Sequence, residues 1–266
     1  MSTLTSYATA AARDSAAPAA SNTGLCIFRS DNKAIEVSDG TNYLTYNNDG
    51  ITYDFSGSNT HSGEFDGAGD HIDIGTLTAL NTSSDFSFAC WFNFNGTPSN
   101  EPIFAGGSST SARVALQLRN NTTIRLQVGG SDDFTVSSIT TDGTTWYHVA
   151  ATVSGTIGTL YLNGSSVGTA TVTAPASTAF NDVHLGAFNG TGAYGGSTAS
   201  AGPCNLDEMV FFNRAITGTE VSNIYNNKVY VAPTAMYRLD NDVTDETGSY
   251  NGTNNGVTFS TSDKPY

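Results

Sequence analysis

Hydrophobic and polar positions alternate along this chain in short runs, and only one stretch carries a helical stripe. Val149, Ala151 and Val153 alternate with Ala150 and Thr152, the period-two pattern of a strand with one face inward. Leu160, Tyr161 and Leu162 follow after a glycine-containing turn. Asn163-Gly164 is a dipeptide that readily takes positive φ in a tight hairpin, and Val167 lies on the return strand. The pattern predicts a meander over 146–168. Phe86, Phe88, Trp91, Phe92 and Phe94 are too dense for a half-exposed strand and predict a central strand with a bulge or two buried faces. Further strands are predicted around Ile72–Ile74, Ile103-Phe104, Val114–Leu118, Ile124–Val128, Phe134–Val136 and Val183–Leu185. The helical stripe is Val221, Ile224 and Tyr225. Thr217 and Glu220 ahead of it form a capping box, predicting a short helix at about 218–226.

Texture divides the chain. Residues 1–23 are rich in Ala and Ser and poor in large apolar side chains, which predicts a flexible arm or one ordered by a partner, with a short helix possible over Tyr7–Arg13. Leu25–Phe28, Ala34–Val37 and Tyr43–Tyr46, separated by Ser30-Asp31-Asn32 and Asp39-Gly40, predict a three-strand meander over 24–50. That meander is too small to stand alone. A main domain is placed at 51–230 and a separate tail at 231–266.

The chain's 266 residues suffice for a sizeable core. Only 13% are charged, which suits many short strands and turns. A net charge of −14 would repel a phosphate backbone and argues against a nucleic-acid partner. No apolar run reaches membrane-spanning length, and the first residues lack the basic start and apolar run of a secretory signal. Cys26, Cys90 and Cys204 have no disulfide or zinc-ligand spacing, and Cys90 reads as a buried thiol.

Several spaced motifs resemble one family. Trp146-Tyr147-His148-Val149-Ala150, Leu160-Tyr161-Leu162-Asn163-Gly164 and Val167-Gly168 resemble the core of laminin-G-like domains of the concanavalin A-like superfamily. Phe65-Asp66-Gly67 with Asp70, Ile72 and Ile74 is similar to that family's opening motif, and Asp207-Glu208 with Asn213-Arg214-Ala215 to its closing strand. The resemblance implies an all-β, jelly-roll sandwich of two antiparallel sheets, preceded here by the small meander and arm. The segment from Ala235 to Phe259 resembles the family's usual first strand, yet comes last. Circular permutation or exchange with a neighbouring protomer is favoured over a truncated second repeat, since an unpaired apolar strand leaves a sticky edge. Residues 24–43 resemble a small module near the start of tailed-phage fibre, appendage and decoration proteins.

Candidate chemistry is sparse. Asp66, Asp70 and Asp73 near one strand, with Asp207 and Glu208 near the closing one, offer oxygen ligands suited to calcium; Asp66, Asp70 and Asp207 are the candidate ligands. Glu64-Phe65-Asp66 begins a Glu-x-Asp-x-x-Glu hydrolase pattern, but Gly69 stands at its third position, and no Ser or Cys sits in a nucleophile elbow. A non-enzymatic protein is therefore expected. His148 is expected to be structural, and Trp91 and Trp146 to lie in the core. Asn189 and Tyr194, in the Gly-rich loop 189–202, are candidate glycan contacts. The family and module resemblances imply a phage virion protein: a homotrimer, made in the host cytoplasm, bound to other virion proteins through residues 1–50 and displaying a lectin-like sandwich. The alternative is a stand-alone bacterial carbohydrate-binding or adhesion domain at the cell surface.

Overall fold

The computed structural model describes the strand backbones within residues 5–54 and, beyond them, residues 59–67, 69–97, 100–119, 122–130, 134–137, 139–190 and 202–266. These form two compact units, one of 1–58 with 222–233 and one of 59–221 with 234–266.

The described strands of the first unit form a six-stranded sheet. Strands β2 (Cys26–Arg29), β3 (Ala34–Ser38) and β4 (Tyr43–Asn47) make the antiparallel meander that the turn residues predict. Two features depart from expectation. Thr5–Tyr7 is not part of a loose arm but a strand, β1, paired in parallel with β2; the remainder of the predicted helix lies outside the described residues. Ile51 does not open the main domain. It sits in β5 (Gly50–Asp54), which hairpins back on β4, so the boundary falls near residue 59. The far edge of β5 is covered by β18 (Val229–Val231), where Tyr230 lies opposite Tyr53 and both rings are buried.

The second unit is a sandwich. One sheet runs in the order β12 (Phe134–Ser137), β11 (Thr123–Val128), β10 (Ala112–Arg119), β9 (Asn100–Ser109), β16 (Val183–Leu185), β7 (His71–Gly75), β20 (Thr253–Asn255). The other runs β15 (Ser165–Thr171), β14 (Ile157–Leu162), β13 (Tyr147–Ser154), β8 (Phe86–Phe94), β17 (Cys204–Phe212), β6 (Ser62–Phe65), β21 (Thr258–Ser260), with β19 (Ala235–Tyr237) also on β17. Pairings within both sheets are antiparallel. Among the described residues, the single-turn helix α1 (Thr78–Asn81) and helix α2 (Gly218–Asn227) complete the elements.

Strand β8 is buried at all nine positions, as its aromatic density requires. Phe86, Phe88, Cys90, Phe92 and Phe94 belong to the interior cluster between the sheets. There Phe104, from the opposite sheet, meets Phe88 and Phe211 edge-to-face at 4.6 and 5.3 Å. Each such pair is worth about 0.5–1.5 kcal/mol beyond the area it buries. Burial pushes the Cys90 and Cys204 thiols above their ordinary range, and both are free. On the other face of β8, Ser87 donates to the Arg214 carbonyl (2.9 Å) and accepts the Ile216 amide (2.9 Å), fastening the chain where β17 leaves the sheet.

Local chemistry sets the turns. Asn163 and Gly164 take φ of 48° and 77° between Leu162 and Ser165, the left-handed pair that a two-residue hairpin needs. Thr217 and Glu220 cap α2 reciprocally: the Thr217 amide donates to Oε2 (2.8 Å) and the Glu220 amide to Oγ1 (3.2 Å). Gly186 has φ 73°, and a Cβ there would collide with the Phe65 ring.

The tail packs in the sandwich of its own chain. β19 pairs with β17, β20 with β7, and β21 with β6. Asp245 organises the loop between β19 and β20 by accepting the amides of Met236, Thr247, Ser249 and Tyr250 at 2.8–3.0 Å, and the Thr247 hydroxyl.

Candidate glycan site

Cross-strand register builds a polar row on the outer face of the larger sheet. Cys204 lies opposite both Phe94 and Phe65, and all three side chains point into the core. One residue along, Asn205 lies opposite both Asn93 and Glu64, and alternation turns these three outward together. Thr258 extends the row from β21, its Oγ1 donating to Glu64 Oε2 at 3.2 Å.

Asp263 folds over the row. Its carboxylate accepts Asn93 Nδ2 at 3.1 and 3.2 Å, Asn205 Nδ2 at 2.5 Å and the indole Nε1 of Trp146 at 2.8 Å. The Ser62 hydroxyl donates to its carbonyl, and its own amide donates to Ser260 Oγ at 3.2 Å. Trp146, expected in the core, is thus only half-buried and spends its polar edge on holding the tail. Beside this knot opens a pocket of about 360 Å³, whose lining adds Asp66, Asn95, Gly143 and Pro203 to Glu64, Asn93, Asn205, Thr258 and Asp263. Its wall is fixed by Asp142, which accepts the amides of Thr144 (2.9 Å) and Thr145 (2.7 Å); these hydrogen bonds hold its carboxyl below the usual carboxylate range. The pocket offers amide donors and carboxylate acceptors, the groups that bond sugar hydroxyls.

The predicted calcium ligands do not converge. Asp66 lines the pocket, and Asp70 Oδ2 accepts the Asp66 amide at 2.9 Å. Asp207 lies three residues past Cys204 while Asp66 lies one past Phe65 in the opposite direction, so about 13 Å of strand separates them. No single ion spans that gap. Asp207 is fully buried, accepting Asn59 Nδ2 (2.5 Å) and the Glu208 amide (2.8 Å). Burial, with the neighbouring Glu208 charge, raises its carboxyl well above the usual range. Glu208 sits at a bulge in β17 with φ 47° and receives the Tyr266 hydroxyl; the Tyr266 ring rests 6.0 Å from that of Trp91. His148 is fully buried and packs edge-on against Trp91 at 5.2 Å, the structural place expected of it.

The predicted glycan contacts fare differently. Asn189 is buried, and its amide donates to the carbonyls of Gly107 (3.0 Å) and Asp182 (2.8 Å), so it anchors the start of the Gly-rich loop instead of facing a ligand. Tyr194 lies outside the described residues. The residues that do form the pocket, Asn93, Asn205 and Asp263, were missed. The period-two pattern around Asn93 and Asn205 marks both as outward, but only register puts them side by side.

Residues 66–222, more than half of the chain, match a laminin-G-type family described as the concanavalin A-like lectin/glucanases superfamily. The chain belongs to that superfamily. Among solved superfamily-like folds, a protein of Bacteroides ovatus described as a candidate carbohydrate-binding protein superposes with a TM-score of 0.55 at 19% identity, covering 86% of this chain and 73% of its own. A heptameric SAP-like pentraxin from Limulus polyphemus gives 0.54 at 17% identity, covering 76% of this chain and 95% of its own. At these identities the likeness is one of fold. No curated protein matches the chain by sequence. The superfamily match begins at residue 66 and leaves the N-terminal sheet outside it.

Proposed function

We propose that this chain is a non-enzymatic, glycan-binding protein that recognises uncharged sugars in the pocket through Glu64, Asn95 and Asn205, with Asn93 buried beneath them as a support for Asp263. The observation that carries this reading is the register-built polar row itself, amides and carboxylates turned outward together beside an open pocket. Glu64, Asp66 and Asp263 make the pocket acidic, so sialic and uronic acids are disfavoured and neutral hexoses suit it. Asp263, the carboxylate nearest the centre of the row, is spent on three side-chain donors, which leaves it poorly placed for acid–base work.

The finer reading is that the sandwich is displayed on a phage particle, with the N-terminal sheet as its attachment module in a homotrimer. Supporting it are the separateness of that six-stranded unit and the resemblance of residues 24–43 to phage structural modules. A stand-alone carbohydrate-binding or adhesion protein is the alternative, and shares the same pocket.

A glycan array with the full chain tests the reading. Binding is expected to neutral glycans over sialylated ones, falling about tenfold in Glu64→Gln and in Asn95→Ala, the loss of one hydrogen bond to each. No cleavage of chromogenic glycosides is expected. Preference for acidic sugars, or binding indifferent to both substitutions, would sink the proposal.

A further inference from the structure

We propose that Asp73, Asp182 and His184 form a binding site for a divalent transition-metal ion of the zinc class. The site lies on the smaller sheet and rests on observations separate from the glycan pocket. His184 lies directly opposite Asp73 where β16 pairs with β7, and a bulge at this point, between Val183 and His184, re-aims the side chains. Asp182 precedes β16 with φ 49°, and its carbonyl is held by Asn189. Together these bring His184 Nε2 to 3.5 Å from Asp182 Oδ1 and 3.8 Å from Asp73 Oδ1, with one donor atom of each residue inside a mutual 4.8 Å. A tetrahedral ion with bonds of about 2.0–2.1 Å spaces its donors by about 3.3–3.4 Å, so small side-chain rotations close the site.

Charge and donor type select the ion. Two carboxylates face each other here, and His184 is the one ion-pairing partner of either among the described residues. With a neutral imidazole the triad carries a double negative charge that a dication balances. An imidazole nitrogen with two carboxylates suits zinc, cobalt or nickel; calcium takes six or more oxygens, which this triad cannot supply. His71 stacks on His184 with ring centroids 4.9 Å apart. The His71 Nδ1 donates to the Gly69 carbonyl at 2.9 Å, which ties that ring in place beside His184. The three ligands leave a fourth position for water or a ligand atom, the arrangement of an open rather than a closed zinc site.

The test uses untagged full-length protein stripped with a chelator, then titrated with zinc chloride by calorimetry and with cobalt chloride by absorption. One equivalent of zinc is expected to bind and to raise the melting temperature, with a cobalt spectrum lacking the intense thiolate band. His184→Gln and Asp182→Asn are expected to weaken zinc about 100-fold or more and to abolish the melting shift. Asn tolerates the left-handed backbone at 182, so that variant keeps the loop, and matched metal-free melting curves verify its fold. Absence of saturable zinc binding, unchanged affinity in both variants, a thiolate spectrum, or calcium binding as tightly as zinc would overturn the proposal.

Discussion

Asp207 shows what a buried carboxyl does to this protein's response to pH. Its folded pKa is raised by burial and by Glu208, whereas in the unfolded chain it titrates near the ordinary value of about 3.9. Below that value both states hold the proton and nothing is lost. As pH rises, the unfolded state ionises freely while the native state resists, so native stability declines by up to about 1.4 kcal/mol per pH unit until the folded value is passed. Asp207→Asn imitates the protonated side chain. Thermal melts from pH 4.5 to 8 are expected to show the variant close to the parent at the acid end and gaining on it steadily towards neutrality; a difference independent of pH would refute this account. Residues of this kind are poorly legible in sequence. Asp207 reads as a surface ligand because it is an aspartate near other aspartates, whereas its hydrogen-bond partner Asn59 is remote along the chain. Asp182 and His184 pass unnoticed for the same reason, since a bulge and a partner strand more than a hundred residues earlier create their proximity to Asp73.

At the scale of elements, the tail is where sequence and structure inform each other most. β21 carries Phe259 against the core, and the residues after it supply the acceptor for Asn93, Asn205 and Trp146. A chain ending at Gly256 would strand those donors and uncover β6. It is expected to lose several kcal/mol of stability, at about 1–3 kcal/mol per orphaned group, and to melt well below the full chain; an unchanged melting temperature would mean the tail is not part of the sandwich. Elements whose signals are local were readable beforehand: β8 from its aromatics, the β14–β15 hairpin from Asn163-Gly164, and α2 from Thr217 and Glu220. The boundary at residue 59 was not. β5 has the same alternating texture as a sandwich strand, and the strand that claims it, β18, is encoded some 170 residues later. Pairing between distant strands leaves no mark in a local window.

For the whole molecule, the two units are threaded together rather than joined in series. The chain runs through the sheet unit, then the sandwich to Val221, returns to the sheet unit for 222–233, and closes the sandwich from Thr234. If the sheet unit is the attachment module, light scattering is expected to give a trimer for the full chain. A version lacking 1–58, with 222–233 replaced by a short linker, is expected to be monomeric. A monomeric full chain would remove the support for particle attachment and leave the free-standing lectin-like reading.

The threading also sets a clock for synthesis. β5 emerges early, but β18, which caps its outer edge with Tyr230 against Tyr53, is translated only after the greater part of the sandwich. At about 5–20 residues per second the nascent sheet waits on the order of ten to thirty seconds with that edge bare. An exposed strand edge invites pairing with another chain, so on a crowded polysome the neighbour nearest to each unfinished sheet is another copy of the same one.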